Sequence, residues 1–92
     1  MARDGSIEKE NKMAYKLLGD VVSNPTDDDF GGATLIHIVA VGADVVRLEK
    51  ADGSTLIGQI NVPAGGSIDL VKDSTDKVSC SNSGCTPIAY HW

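Results

Sequence analysis

The sequence predicts an all-β fold: a small antiparallel β-sandwich or barrel, preceded by an N-terminal arm that is either a short helix or extended. Three observations predict it. From Ala33 to Trp92 the chain is a succession of short apolar runs, each cut off by Gly, Pro, Asn, Asp or Ser, which leaves no room for a long core helix. Several runs alternate apolar and polar residues, the period-two pattern of a half-buried strand. Between residues 45–50 and 55–62, Ala51-Asp52-Gly53-Ser54 carries an Asp-Gly step, which supplies the positive φ of a tight hairpin turn.

The arm and linker span residues 1–32 and the sandwich domain residues 33–92. Ser6 can cap a helix with Glu8 and Glu10 in its first turn, Lys12 and Lys16 in later turns and Gly19 as its stop. The same stretch also reads as a strand over residues 14–22, because Tyr15, Leu17 and Val21 alternate with Lys16 and Asp20. Asn24-Pro25-Thr26-Asp27-Asp28-Asp29 breaks regular structure, and Gly31-Gly32 lets the chain change direction.

Residues 33–41 open the domain with a strand that is apolar on both faces: Leu35, Val39 and Val41 on one, Ile36, Ile38 and Ala40 on the other. One face fills the core, and the other needs a cover. In the next two runs Val46 and Leu48 oppose Arg47 and Glu49, and Leu56, Ile60 and Val62 oppose Thr55, Gln59 and Asn61. Pro63-Ala64-Gly65-Gly66 is a turn, after which Ile68 and Leu70 flank Asp69, and Val78 and Cys80 alternate with Lys77 and Ser79. In residues 86–92 Ile88, Tyr90 and Trp92 share a face, and Pro87 predicts a sheet edge or a strand start. The expected core is Ile36, Ile38, Val46, Leu48, Leu56, Ile60, Val62, Ile68, Leu70, Val78 and Ile88.

A chain of 92 residues with this pattern reads as one small core, for which support from a partner is an advantage. A net charge of −5 with only 8 Lys and Arg argues against nucleic acid as a partner. No apolar stretch reaches the length of a membrane helix, and residues 1–6 lack a signal peptide's apolar centre, so synthesis and assembly in a cytosol are expected. Cys80 and Cys85 bracket turn formers and could face each other at a hairpin tip. A reducing compartment favours free thiols, a disulfide stays open, and without neighbouring His they do not make a zinc site.

Side chains that carry chemistry are present without the spacing that chemistry needs. His37 lies between Leu35 and Val39 and reads as a packed or interface histidine; His91 is close to the carboxy terminus, and no acidic residue is placed by the sequence to orient either ring. Asp27-Asp28-Asp29 lacks the spaced ligands of a calcium loop and reads as a solvated acidic loop. Gly65-Gly66 precedes a strand, so it is no phosphate loop, and the serines have no paired base. No catalytic residue, metal or cofactor is expected. Tyr90 and Trp92 are either covered by the core or a neighbouring subunit, or exposed as a glycan platform.

Residues 34–90 resemble small β-rich virion proteins of tailed bacteriophages, especially marine phages. The resemblance rests on Leu35-Ile36-His37-Ile38, Asp52-Gly53, Val62-Pro63-Ala64-Gly65-Gly66-Ser67, the Lys72 and Asp76 step and Thr86-Pro87-Ile88-Ala89-Tyr90, in that order. It implies a non-enzymatic capsid decoration or cement protein, or else a neck or tail component, with the major capsid protein or another virion protein as partner and the virion as location. Self-association fits a strand apolar on both faces. The partner-binding set expected from the arm and the last strand is Ile7, Met13, Tyr15, Leu17, Leu18, Val21, Val22, Tyr90 and Trp92.

Overall fold

The computed structural model describes residues 14–91. They form two antiparallel sheets packed as a β-sandwich. The strands are β1 (Ala14–Leu17), β2 (Val22–Ser23), β3 (Leu35–Ala40), β4 (Asp44–Glu49), β5 (Leu56–Val62), β6 (Ser67–Val71), β7 (Lys77–Ser79) and β8 (Ser83–His91). The five-stranded sheet has the order β1-β8-β3-β6, with β2 also on β8, and the three-stranded sheet has the order β5-β4-β7. The all-β expectation holds.

Residues 14–23 are an interrupted edge strand, so the extended reading holds there; the helix proposed from Ser6 onward otherwise falls on residues outside those described. β1 pairs with one end of β8, from Ala14 opposite His91 to Leu17 opposite Ile88, and β2 with the other, Val22 opposite Cys85. Residues 14–32 are therefore integral to the sandwich, and Pro25 and Phe30 are buried in it. Gly19 does not stop a helix. It lies where the chain passes the Pro87 ring so closely that a Cβ would stand 3.0 Å from Pro87 Cγ.

Pro87 is not at an edge, because β8 has partners on both sides. Its carbonyl accepts from Leu18 N at 3.0 Å, and the N and C=O of one residue in an antiparallel ladder face the same neighbour. The nitrogen that cannot donate thus faces the break between β1 and β2, where the loss of a ladder bond is tolerated.

The core cluster joins Ile36, Ile38 and Ala40 of β3 to Val46, Val62, Val78, Cys80, Cys85 and Phe30. Period two puts β3 in that register, and its cross-strand partners Leu70, Ile68, Pro87 and Cys85 fall on the same inner face. Leu56 and Ile60, expected in the core, are 44% and 50% exposed. The physical reason is topological. β5 and β6 are edge strands of the two sheets, and Leu48, Ile60, Ile68 and Leu70 line an open cleft of about 390 Å³ between them.

The β4–β5 hairpin turns as its sequence predicts. Gly53 has φ 74°, its N–H donates to Lys50 O at 2.8 Å, and Asp52 accepts from Ser54 N, Thr55 N and Thr55 Oγ1 at 2.9, 2.9 and 2.6 Å. Those donors hold the Asp52 carboxyl down at about 2.

Asp27, Asp28 and Asp29 form an organised turn rather than a freely solvated loop. Asp27 Oδ1 accepts from Ser79 Oγ, Asp28 Oδ1 from Phe30 N at 2.7 Å, and Asp29 Oδ1 from Gly31 N at 3.0 Å. Phe30, Gly31 and Gly32 all take positive φ there, which drives the Phe30 ring into the core. Lys72 is buried, with its Nζ donating to Asp73 O at 3.1 Å; burial lowers its pKa, opposed first by Asp29 and Asp76.

Candidate functional site

The outer face of the five-stranded sheet carries the most distinctive constellation. Tyr15, Tyr90, His37 and Asp69 come one each from β1, β8, β3 and β6, the four strands in spatial order. Tyr15 is the register partner of Tyr90, and His37 that of Asp69. The inner set of β3 is fixed by Ile36 and Ile38, so alternation places His37, and with it Asp69, on the outside.

Asp69 is the hub. His37 Nδ1 lies 2.6 Å from its Oδ1, while Tyr90 OH and Tyr15 OH donate to Oδ2 at 2.7 and 3.0 Å. Burial raises the Asp69 pKa, but the bonds from His37, Tyr90 and Tyr15 outweigh it and leave the carboxyl below its ordinary value. An ionised carboxylate only accepts, so His37 carries a proton on Nδ1. Both phenols are raised, first by their bond to Asp69 and then by burial. The Tyr15 ring also stacks obliquely, 4.9 Å from His37 and 5.9 Å from Tyr90.

Sequence reasoning missed the hub, because His37 and Asp69 are 32 residues apart and only the β3–β6 register joins them. Alternation on each strand, once paired, was the available signal. A His–carboxylate pair can orient a general base, but among the described residues no Ser, Thr or Cys hydrogen-bonds to His37. The arrangement ties four strands together and leaves two tyrosine rings partly exposed.

Apolar side chains surround it. On the same face Leu17, Val39 and Val71 are 69%, 42% and 74% exposed, and Leu18 and Val21 extend the exposed row along the edge. On the second face of the opening strand, which its composition says needs a cover, Leu35 and His37 are half-buried and Val39 is exposed. Of the expected partner-binding residues, the structure brings Tyr15, Leu17, Leu18, Val21 and Tyr90 to this face or its edge. Val22 is half-buried and packs against the core, because its pairing with Cys85 turns it inward. Ile7, Met13 and Trp92 lie outside the described residues.

A concavity of about 750 Å³ lies elsewhere, with Ala43, Asp44, Val62 and Asn82 in its wall. Its one ionisable group is already engaged. Asp44 accepts from Val45 N, Asn82 N and Ser83 Oγ at 2.7, 2.8 and 2.6 Å, and from Ser81 N at 3.3 Å. Burial raises its pKa, yet these donors, Ser83 first, bring it below the ordinary value. No group of three or more His, Cys, Asp and Glu among the described residues is placed to hold a metal ion, and no helix among them is long and apolar enough to cross a membrane. Comparison with protein-family models, with curated proteins and with solved structures finds no match in any of the three.

Proposed function

We propose that this protein is a non-enzymatic docking module of a tailed-phage virion, a capsid decoration or cement protein that binds the assembled head through the outer face of its five-stranded sheet. One observation carries the reading: Leu17, Val39 and Val71 stand largely exposed around the Tyr15–Tyr90–His37–Asp69 cluster on a sheet whose other face fills the core. An apolar face of this kind gains from a cover, at about 25 cal/mol for each Å² removed from water. The hydrogen bonds of the cluster tie the four strands of this face to one another, which favours a low ordering cost on binding. The virion follows from the resemblance of residues 34–90, with the major capsid protein as partner and assembly in the host cytoplasm.

The mechanism is linkage. A chain that binds only the assembled lattice raises the free energy of disassembly by its own binding energy, and many copies multiply a weak contact. The commitment of Asp44 to its own loop supports a role without chemistry. The test is sedimentation of the purified chain with heads that lack it. Binding that Val39→Glu and Val71→Glu abolish while the melting temperature stays put supports the reading; absence of binding contradicts it.

A second reading is favoured by the paired rings of Tyr15 and Tyr90 beside a carboxylate, a combination that suits a sugar. Glycan binding by the isolated chain, lost in Tyr90→Ala but kept in Val71→Glu, would select it over lattice docking.

A further inference from the structure

We propose that Cys80 and Cys85 are a peroxide-responsive thiol pair that closes into a disulfide linking the two sheets. The inference does not depend on the docking reading. Cys80 follows β7 in the three-stranded sheet and Cys85 lies in β8 of the five-stranded one, yet their sulfurs are 3.4 Å apart, in van der Waals contact, and both side chains are buried. They do not face each other across a hairpin tip, because β7 and β8 belong to different sheets. The intervening arch is held from outside the pair: Asp44 gathers Ser81 N, Asn82 N and Ser83 Oγ, and Cys80 N donates to Pro25 O at 3.0 Å. The arch therefore keeps the sulfurs together before any bond forms.

The two thiols have different access. Cys80 borders a surface depression of about 310 Å³ lined also by Pro25, Thr26 and Ser79, whereas Cys85 is wholly enclosed. The Cys85 thiol hydrogen-bonds to Cys80 and, ahead of the opposing burial, lowers the Cys80 pKa; the same contact, then burial, drives Cys85 up. Geometry and acidity thus select the same sulfur as the one that reacts first.

The Cys80 thiolate attacks hydrogen peroxide, breaking the O–O bond to give Cys80 sulfenic acid and hydroxide. Cys85 sulfur then attacks Cys80 sulfur; the S–S bond forms as the S–O bond breaks, and the Cys85 proton leaves with the hydroxyl as water. Two thiols are oxidised and one peroxide is reduced. A dithiol reductant reverses the product by exchange.

The experiment treats the folded full chain with hydrogen peroxide, then measures intact mass and thiol content after denaturation. The expected result is loss of two hydrogens and of both titratable thiols in a monomer, reversed by dithiothreitol. Cleavage after Lys77 leaves both cysteines in one peptide, which locates the link without any variant. In Cys85→Ser, Cys80 should be trapped as a sulfenic acid that dimedone labels, while in Cys80→Ser the Cys85 thiol should stay unmodified. Addition of oxygen at Cys80 or Cys85 in the peptide after Lys77, which holds no methionine, disulfide-linked dimers, unreacted thiols, or preferential labelling of Cys85 would each overturn the proposal.

Discussion

Asp69 and Asp44 organise the molecule in the same way, as carboxylates that gather donors from segments far apart in sequence. Asp44 begins the three-stranded sheet's central strand and collects the arch that leads into β8, so replacing it leaves buried donors without an acceptor. Asp44→Ala should cost roughly 2–3 kcal/mol at neutral pH, read from denaturant unfolding. The sign of its pH dependence follows from the direction of the shift. The folded pKa of Asp44 lies below its ordinary 3.8, as does that of Asp69, so their stabilisation is fully present above that value and is lost as pH falls through the folded values. Melting temperature should therefore drop as pH is taken from 5 toward 2, and drop less steeply in Asp44→Asn. A parallel acid profile in the two chains would show that Asp44 does not contribute.

β1 is the element most dependent on one side chain. It is a four-residue edge strand whose side chains are exposed, and among its described contacts the Tyr15 phenol is what ties it across β8 to Asp69 on β6. Asp69→Ala should speed amide exchange at the Ala14–Leu17 strand by roughly tenfold while leaving β3 and β4 protected. Equal protection would show that the ladder to β8 suffices. Because the described pairing starts at Ala14, deletion of residues 1–12 should leave a folded sandwich, with the melting temperature shifted by only a few degrees. The same chain should dock more weakly if Ile7 adds to the contact; collapse of the near-native circular dichroism would instead make residues 1–12 part of the core.

The strand elements were legible in the sequence to the extent that their cause was local. Alternation on β3 and β4 and the Asp52-Gly53 turn gave Ile36, Ile38, Val46 and the hairpin, since period and turn chemistry act within a few residues. Alternation could not say that β5 and β6 would both be edges, which is why Leu56 and Ile60 were expected inside and stand exposed. Pro87 was assigned to a sheet edge or a strand start by a sound local rule that a tertiary detail, the break between β1 and β2, overrides. The Asp69 cluster was illegible for the same reason: four residues on four strands become neighbours only through register.

At the scale of the whole molecule, the two faces of one sheet divide the work. The inner face, with Ile36, Ile38 and Cys85, holds the sandwich together, and the outer face presents exposed valines and leucines around a polar hub that joins its strands. Each apolar side chain fully covered by a partner contributes about 1.5–3 kcal/mol, so a few of them suffice for a repeated lattice contact. For the proposed docking role, the most direct measurement is the occupancy of tailed-phage heads that lack this chain, after incubation with the parent protein and with the Val39→Glu, Val71→Glu double variant. The account predicts saturable occupancy by the parent and at least a tenfold loss by the variant, with both chains melting within a few degrees of each other. Equal occupancy by a folded variant, or no occupancy by the parent, would contradict it.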